Sequence, residues 1–282
     1  MSNVRKAKHG WVLTLIFSLI SIAYIMPIVI VLMNSFKRKI FISNRPFALP
    51  DAKSFVKIEN YINGIQKTDF FRAFGYTLFI TVGSVFVIVL CTSMCAWYIS
   101  RVKNKWTTGI YYLFAFSMIV PFQMVMFTLS KIADILHLGN PVGIIIVYLG
   151  FGAGLAVFMF CGFVRSIPLE IEESAMIDGC TERKALWKII MPMATPGVIT
   201  VTIFNFMGIW NEYFIALIFA NGNDKIRTLS MGLQNMITSM TYTGNWAGLF
   251  ASIMIVFLPT FILYLFLSEK IVAGVTGGGV KG

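Results

Sequence analysis

The sequence predicts an all-α membrane protein with six transmembrane helices, and three observations lead there. Of 282 residues, 57% are apolar and only 12% charged, where soluble domains carry about 25% charge. The charges that exist are pushed apart by long uncharged runs. Segments of about ten residues with in-out alternation, the mark of a membrane β-barrel, are absent.

The uncharged runs give the elements in order: His9 to Phe36, Ala73 to Ser100, Trp106 to Ser130, Ile135 to Val164, Ile189 to Asn211 and Thr228 to Ser268, the shortest being 23 residues. A hydrocarbon core of about 30 Å needs roughly 20 apolar residues per helix, so each run is long enough to cross. Helices are expected near 11–33, 73–99, 107–130, 142–164, 195–220 and 246–267, the last placed after a polar stretch, Asn221 to Asn245, expected to be a loop. The resulting organisation is a tail over 1–10, a transmembrane domain over 11–270 with an internal loop over 165–192, and a second tail over 271–282. The first helix resembles a signal peptide, since Arg5, Lys6 and Lys8 precede it. Its apolar stretch exceeds the 7 to 15 residues of a signal h-region and lacks a small-residue cleavage site, so it reads as an uncleaved span.

The net charge of +11 does not indicate nucleic acid, because the basic residues lie between apolar runs rather than on one soluble face. Placing the N-terminus inside puts twelve Lys and Arg inside and eleven outside, eight of those in the loop from Lys37 to Arg72. Charge bias therefore leaves the orientation open. Cys91, Cys95, Cys161 and Cys180 have no zinc or redox spacing and read as small buried hydrophobes. No metal site is expected.

Three segments between the helices are long enough to carry function. Residues 34–72 hold Pro46 and Pro50 and then Phe55, Ile58, Tyr61, Ile62 and Ile65, the pattern of a helix lying at the membrane surface. The polar stretch 221–245 is on the same side. The third, 165–192, is on the opposite side. There Pro168 opens a helix whose first turn holds Glu170, Glu172 and Glu173, acids suited to the positive end of a helix dipole. Gly179 ends it by adopting a left-handed conformation, Thr181 caps a second helix, and Pro192 and Pro196 break the chain before the next span. A short, rigid, charged helix pair outside the bilayer suits the receipt of force from a soluble partner.

At these residues the sequence resembles a family. Glu173-Ser174-Ala175, Gly179 four positions on, and Ile190-Met191-Pro192 are similar to the EAA loop of permease subunits in binding-protein-dependent ABC importers. The resemblance implies the type I importer permease fold and a coupling helix docked on an ATPase subunit, with Glu172, Glu173, Ser174, Ala175, Asp178 and Gly179 as the coupling residues. Ser174 replaces the usual middle Ala, small for small. Glu59-Asn60-Tyr61, Arg101, Pro121-Phe122-Gln123, Trp210-Asn211-Glu212-Tyr213, Thr228-Leu229 and Gly232-Leu233 resemble the second permease of maltose-type sugar importers. Ser268-Glu269-Lys270 stands where a Gln-Arg pair is common, and Thr128 where a second proline often occurs. The C-terminal Gly274 to Gly282 is similar to the family's tail that enters the interface between the ATPase subunits, which would place Gly277, Gly278, Gly279 and Lys281 there. Gly277 to Gly279, separated from Lys281 by Val280, are not expected to form a phosphate loop, which needs Gly-Lys followed directly by Ser or Thr.

Within the spans Glu212 is the clearest acid. A charge at that depth costs on the order of 2.5 to 3.5 kcal/mol, so it should face protein or water. Asn205, Trp210 and Asn211 on the same helix, with Gln123 more weakly, supply the aromatic and amide types of a sugar-lined path. The same types also bond neighbouring helices, and both readings stay open here. Gly150 and Gly154, at small-xxx-small spacing, suit close helix packing.

No enzymatic constellation is present: His9 and His137 have no placed partners, and neither a nucleophile elbow nor a zinc-protease motif occurs. The expected function is half of an ATP-driven sugar pore in a bacterial or archaeal cell membrane, with both termini cytoplasmic. The resemblance implies as partners a second permease, two ATPase subunits that hold the ATP and Mg, an external sugar-binding protein, the sugar itself and membrane lipid, and no nucleic acid. The alternatives are a secondary carrier or channel, which would need coupling-ion sites and commonly internal repeats, and an importer of a non-sugar solute such as a glycerophosphate.

Overall fold

A computed structural model describes residues 10–220 and 226–279, which form helices joined mostly by short connections, the longest being residues 45–58 between the second and third helices. In chain order these are α1 (Gly10–Ser35), α2 (Lys39–Asn44), α3 (Glu59–Thr68), α4 (Phe70–Arg101), α5 (Lys105–Ser117), α6 (Phe122–Ile135), α7 (Pro141–Arg165), α8 (Leu169–Ile177) and α9 (Glu182–Ala185). A π turn (Leu186–Ile190), α10 (Met191–Met193), α11 (Thr195–Asn211), α12 (Phe214–Ala220), α13 (Leu229–Thr243) and α14 (Trp246–Gly279) complete the chain. Among the described residues, four helices are long and apolar enough to cross a membrane, and six spans result if two bent pairs each count as one.

The bent pairs show where uncharged length is a poor guide to helix continuity. The expected third helix is two helices, α5 and α6, with axes bent by 106°. Pro121 causes the break, because it has no N–H to donate and bars its predecessor from the helical region. Asn104 starts α5 with a reciprocal cap, its Oδ1 accepting from Thr107 N at 2.8 Å and Thr107 Oγ1 accepting from Asn104 N at 3.2 Å. The expected fifth helix opens at Glu212, whose backbone is extended at φ −71° and ψ 135°, and resumes as α12. The expected sixth helix does not stop at 267 but continues through Pro259 to Gly279. The stretch read as a polar loop holds α13, begun at Thr228, whose Oγ1 accepts from Met231 N at 3.3 Å.

Two compact units emerge: Met1–Phe70 with Leu233–Leu258, and Phe71–Gly232 with Pro259–Gly282. In the first, the stretch after α1 is pinned by Asn60, which donates to Ser35 O at 2.8 Å and Lys37 O at 2.9 Å. Tyr61 shares a 2.6 Å hydrogen bond with Ser35 and packs its ring on Phe36. Gly64 lets α3 approach Ser252 and Ile255 of α14, where a Cβ would come within 3.1 Å of both side chains. The helix expected to lie on the membrane surface is thus anchored on its inner face, with Ile58 and Ile62 exposed on the other.

The second unit carries the candidate site. Its core joins Ile88, Ala96 and Ile99 of α4, Ala156, Val157, Phe160 and Val164 of α7, and Val201 of α11 with Ile167, Leu186, Ile190 and Met191 from the segment after α7. Gly154 meets α5 so closely that a Cβ would stand 2.5 Å from Ser117 Oγ, whereas Gly150 faces open space. The small-residue contact is therefore made by Gly154 and not by the expected pair.

Candidate functional site

Residues 165–192 form a helix, a glycine turn and a second helical run. Pro168 is the N-cap residue of α8, just outside the first turn. At the other end Gly179 takes φ +84°, with Gly179 N donating to Met176 O and Cys180 N to Ala175 O, both at 3.0 Å. This is the paired-bond glycine terminus of a helix, and it satisfies carbonyls that α8 would otherwise leave bare. Nothing lies within 4 Å of a Cβ at Gly179, so its backbone angle alone demands glycine. Thr181 takes the N-cap position of α9, but its side chain makes no capping hydrogen bond. Past α9 the run widens into the π turn, where Met191 N reaches back to Leu186 O. Pro192 follows, and the axis turns by 77° into α11.

The two faces of α8 differ in chemistry. Glu172 is only 1% exposed and Ala175 is buried beside it, both turned to the bundle. The Glu172 carboxylate accepts from Arg101 Nε at 2.5 Å and from Trp97 Nε1 at 3.0 Å, while Arg101 also donates to Ile167 O at 3.1 Å. Glu172, expected among the coupling residues, thus faces the bundle in this chain and ties α8 to α4. Burial of a carboxylate is tolerated here because every charge is paired and hydrogen-bonded. Arg101 is among the positions that resemble the family, whereas Trp97 carries no motif, and their i, i+4 spacing at the end of α4 was the available sign that they share a face. Outward, α8 presents Leu169, Glu173, Ser174, Met176 and Ile177, the last 86% exposed, with Asp178 and Gly179 at the tip.

The residues expected along a substrate path are dispersed. Asn205 is buried, donates to its own helix at Val201 O (2.9 Å), and sits where a Cβ on Gly152 would meet its Oδ1 at 2.5 Å. Trp210, 4% exposed, stacks on Phe206 at 5.4 Å and meets Phe74 edge-on at 5.9 Å. Asn211 is exposed and bonds back to Met207 O, and Gln123 is exposed on the first turn of α6. Glu212 restarts the broken helix: its Oε2 accepts from Ile215 N at 2.9 Å, Ala216 N at 3.3 Å and Tyr148 Oη at 3.0 Å. Tyr148, which reaches it from α7, had no sequence signal. Of the tail residues, Gly277, Gly278 and Gly279 end α14, and Lys281 lies outside the described residues.

Spanning and broken apolar helices define a polytopic membrane protein, and residues 88–273 match the family of binding-protein-dependent transport system inner membrane components, to which this chain belongs. It is 33% identical over 271 residues to the probable starch degradation products transport system permease protein AmyC of Thermoanaerobacterium thermosulfurigenes, spanning 96% of this chain and 97% of that one. To the diacetylchitobiose uptake system permease protein NgcG of Streptomyces coelicolor it is 30% identical, over 92% and 84% of the two chains. To the multiple sugar-binding transport system permease protein MsmG of Streptococcus mutans it is 29% identical over the full length of both. In fold it is similar to a chain of a bacterial ABC transporter involved in the import of the polysaccharide alginate, with a TM-score of 0.79, 22% identity and coverage of 95% and 98%. The chain is thus a membrane-spanning permease subunit of an ABC importer.

Proposed function

We propose that this chain is half of the translocation pore for a sugar or oligosaccharide, and that α8 passes the ATPase cycle into the bundle. A second permease completes the pore, two ATPase subunits hold ATP and Mg, and an external binding protein delivers the sugar. The chain itself catalyses nothing, and both termini lie on the cytoplasmic side with α8.

One observation carries the coupling role: α8 is tied to α4 by the buried Glu172–Arg101 pair while its opposite face offers Leu169, Met176 and Ile177 unburied. A helix braced in this way moves the bundle when its outer face is pushed. Glu173, Ser174, Asp178 and Gly179 give that face a charged rim suited to a protein groove. The sugar reading is supported by the names of the relatives above. Glu212 fits helix anchoring better than sugar contact, since its carboxylate is already occupied.

Uptake by a deletion strain and its complemented parent tests the function, with malto-oligosaccharides, chito-oligosaccharides and a glycerophosphate as radiolabelled solutes. Loss of one sugar class, restored by complementation and abolished by ATP depletion, is expected. Loss confined to glycerophosphate would overturn the sugar assignment, and uptake persisting without ATP would indicate a secondary carrier.

A further inference from the structure

The charges at the α8 end of the bundle are not all consumed by the coupling segment. A cavity of about 230 Å³ is lined by Ile99 and Ser100 of α4, Lys103 of the link to α5, Thr107, Thr108, Tyr111 and Tyr112 of α5, and Arg165 at the end of α7. Both charged residues in its wall are cations, and no carboxylate lines it. Neither cation is engaged in an ion pair among the described residues. Arg165 rests instead with Cζ 4.8 Å from the centroid of the Tyr111 ring, which is itself stacked against Phe158. Ser100, 7% exposed, sits beside the Cys161 thiol, and its Oγ has no oxygen or nitrogen partner among the described residues.

We propose that this cavity binds the phosphate headgroup of an anionic phospholipid. Phosphate is the chemistry that two cations in a hydroxyl-bearing wall select: Arg165 offers a planar fork of donors and Lys103 a compact charge. The ring under Arg165 holds the guanidinium in place at little cost to its charge. At about 230 Å³ the cavity is smaller than the roughly 300 Å³ and upward of pockets that enclose drug-sized ligands, so it accepts a headgroup and not an oligosaccharide.

Its position selects lipid over free phosphate. Twenty-five residues of α7 rise about 37 Å, which carries Arg165 from the other surface to this one across a core of about 30 Å. Beside the opening, α5 displays Trp106, 83% exposed, with Ile110, Tyr112 and Leu113. Those side chains form an apolar and aromatic face that acyl chains cover, with rings at headgroup level. The lipid would lie across the joint between α4, α5 and α7 and brace the bundle end from which α8 projects.

The test is lipid retention measured by native mass spectrometry on the detergent-purified transporter complex, with phosphatidylglycerol and phosphatidylcholine as probes. Wild-type complex is expected to retain phosphatidylglycerol selectively. Lys103→Gln and Arg165→Gln are each expected to lower its occupancy roughly fivefold, the effect of one basic residue at an anionic surface. The charge-preserving Lys103→Arg is expected to retain it. Equal retention of both lipids by the wild type overturns the proposal without recourse to any variant; unchanged retention in a folded complex that combines Lys103→Gln with Arg165→Gln overturns it as well. Displacement of the lipid by millimolar inorganic phosphate would assign the cavity to free phosphate and overturn the lipid assignment.

Discussion

Arg101 at the end of α4 and Glu172 in α8, 71 residues apart in sequence, form an ion pair 2.5 Å long with only 2% of the acid side chain exposed. It is the polar joint by which the projecting segment is fixed to a spanning helix, and Trp97 completes it. Breaking one side should matter more than removing both.

Arg101→Ala leaves a buried carboxylate facing Trp97 alone and is expected to lower stability by about 3 to 5 kcal/mol. The double change Arg101→Met with Glu172→Leu should recover most of that loss. Thermal unfolding of the purified complex measures both, and a double variant as unstable as Arg101→Ala would refute the pairing account.

Gly179→Val should leave insertion and the spans intact but strain the φ +84° turn that ends α8. A non-glycine residue in this region costs about 1 to 2 kcal/mol, more when β-branched. Asn at the same site should be nearly tolerated. The expected result is ATP hydrolysis with reduced sugar uptake in vesicles, and wild-type uptake by the Val variant would count against the coupling role.

Ile177 touches little of its own chain, so Ile177→Asp should hardly alter the stability of the isolated subunit. If α8 docks in an ATPase groove, the variant loses about 1.5 to 3 kcal/mol of apolar burial there, or roughly ten- to a hundredfold in affinity. Co-purification of the ATPase at limiting concentration reads this directly. Unchanged recovery would place the interface elsewhere.

Glu212→Leu removes the acceptor that starts α12 and orphans the Tyr148 hydroxyl. A lost cap costs about 1 kcal/mol and a lost bond to a charged group about 1.5 to 3 kcal/mol. Lower thermal stability with normal uptake per folded complex is expected, and Tyr148→Phe should have a smaller effect of the same sign. Lost uptake at full stability would restore Glu212 to the substrate path.

The spans were legible because long apolar composition is imposed by lipid and needs no tertiary knowledge. Gly179 was legible for a similar reason, since a helix of Glu, Ala and Met followed by Gly and Cys has one economical ending. The orientation of Glu172 was not. Glu170, Glu172 and Glu173 are equally suited to a helix N-terminus, and only Arg101, distant in sequence, selects which one turns inward. Continuity was misjudged at Pro121 and Glu212, because an uncharged run records what lipid tolerates and not where the backbone ladder stops. Gly274 to Gly279 erred the other way, weak helix formers carried on the end of a long helix.

The apolar window of α1 has no buried residue, and Asn34 and Ser35 at its very end are the helix's only buried positions. Its backbone bonds are internal, and its side chains find in acyl chains a solvent as good as any core. Within this chain the apolar side chains of α1 are therefore left to lipid or to a neighbouring subunit rather than to a core of their own. Among the described residues the chain grips it at its last turn, where Asn60 and Tyr61 fasten Ser35, so α1 stands on a single footing.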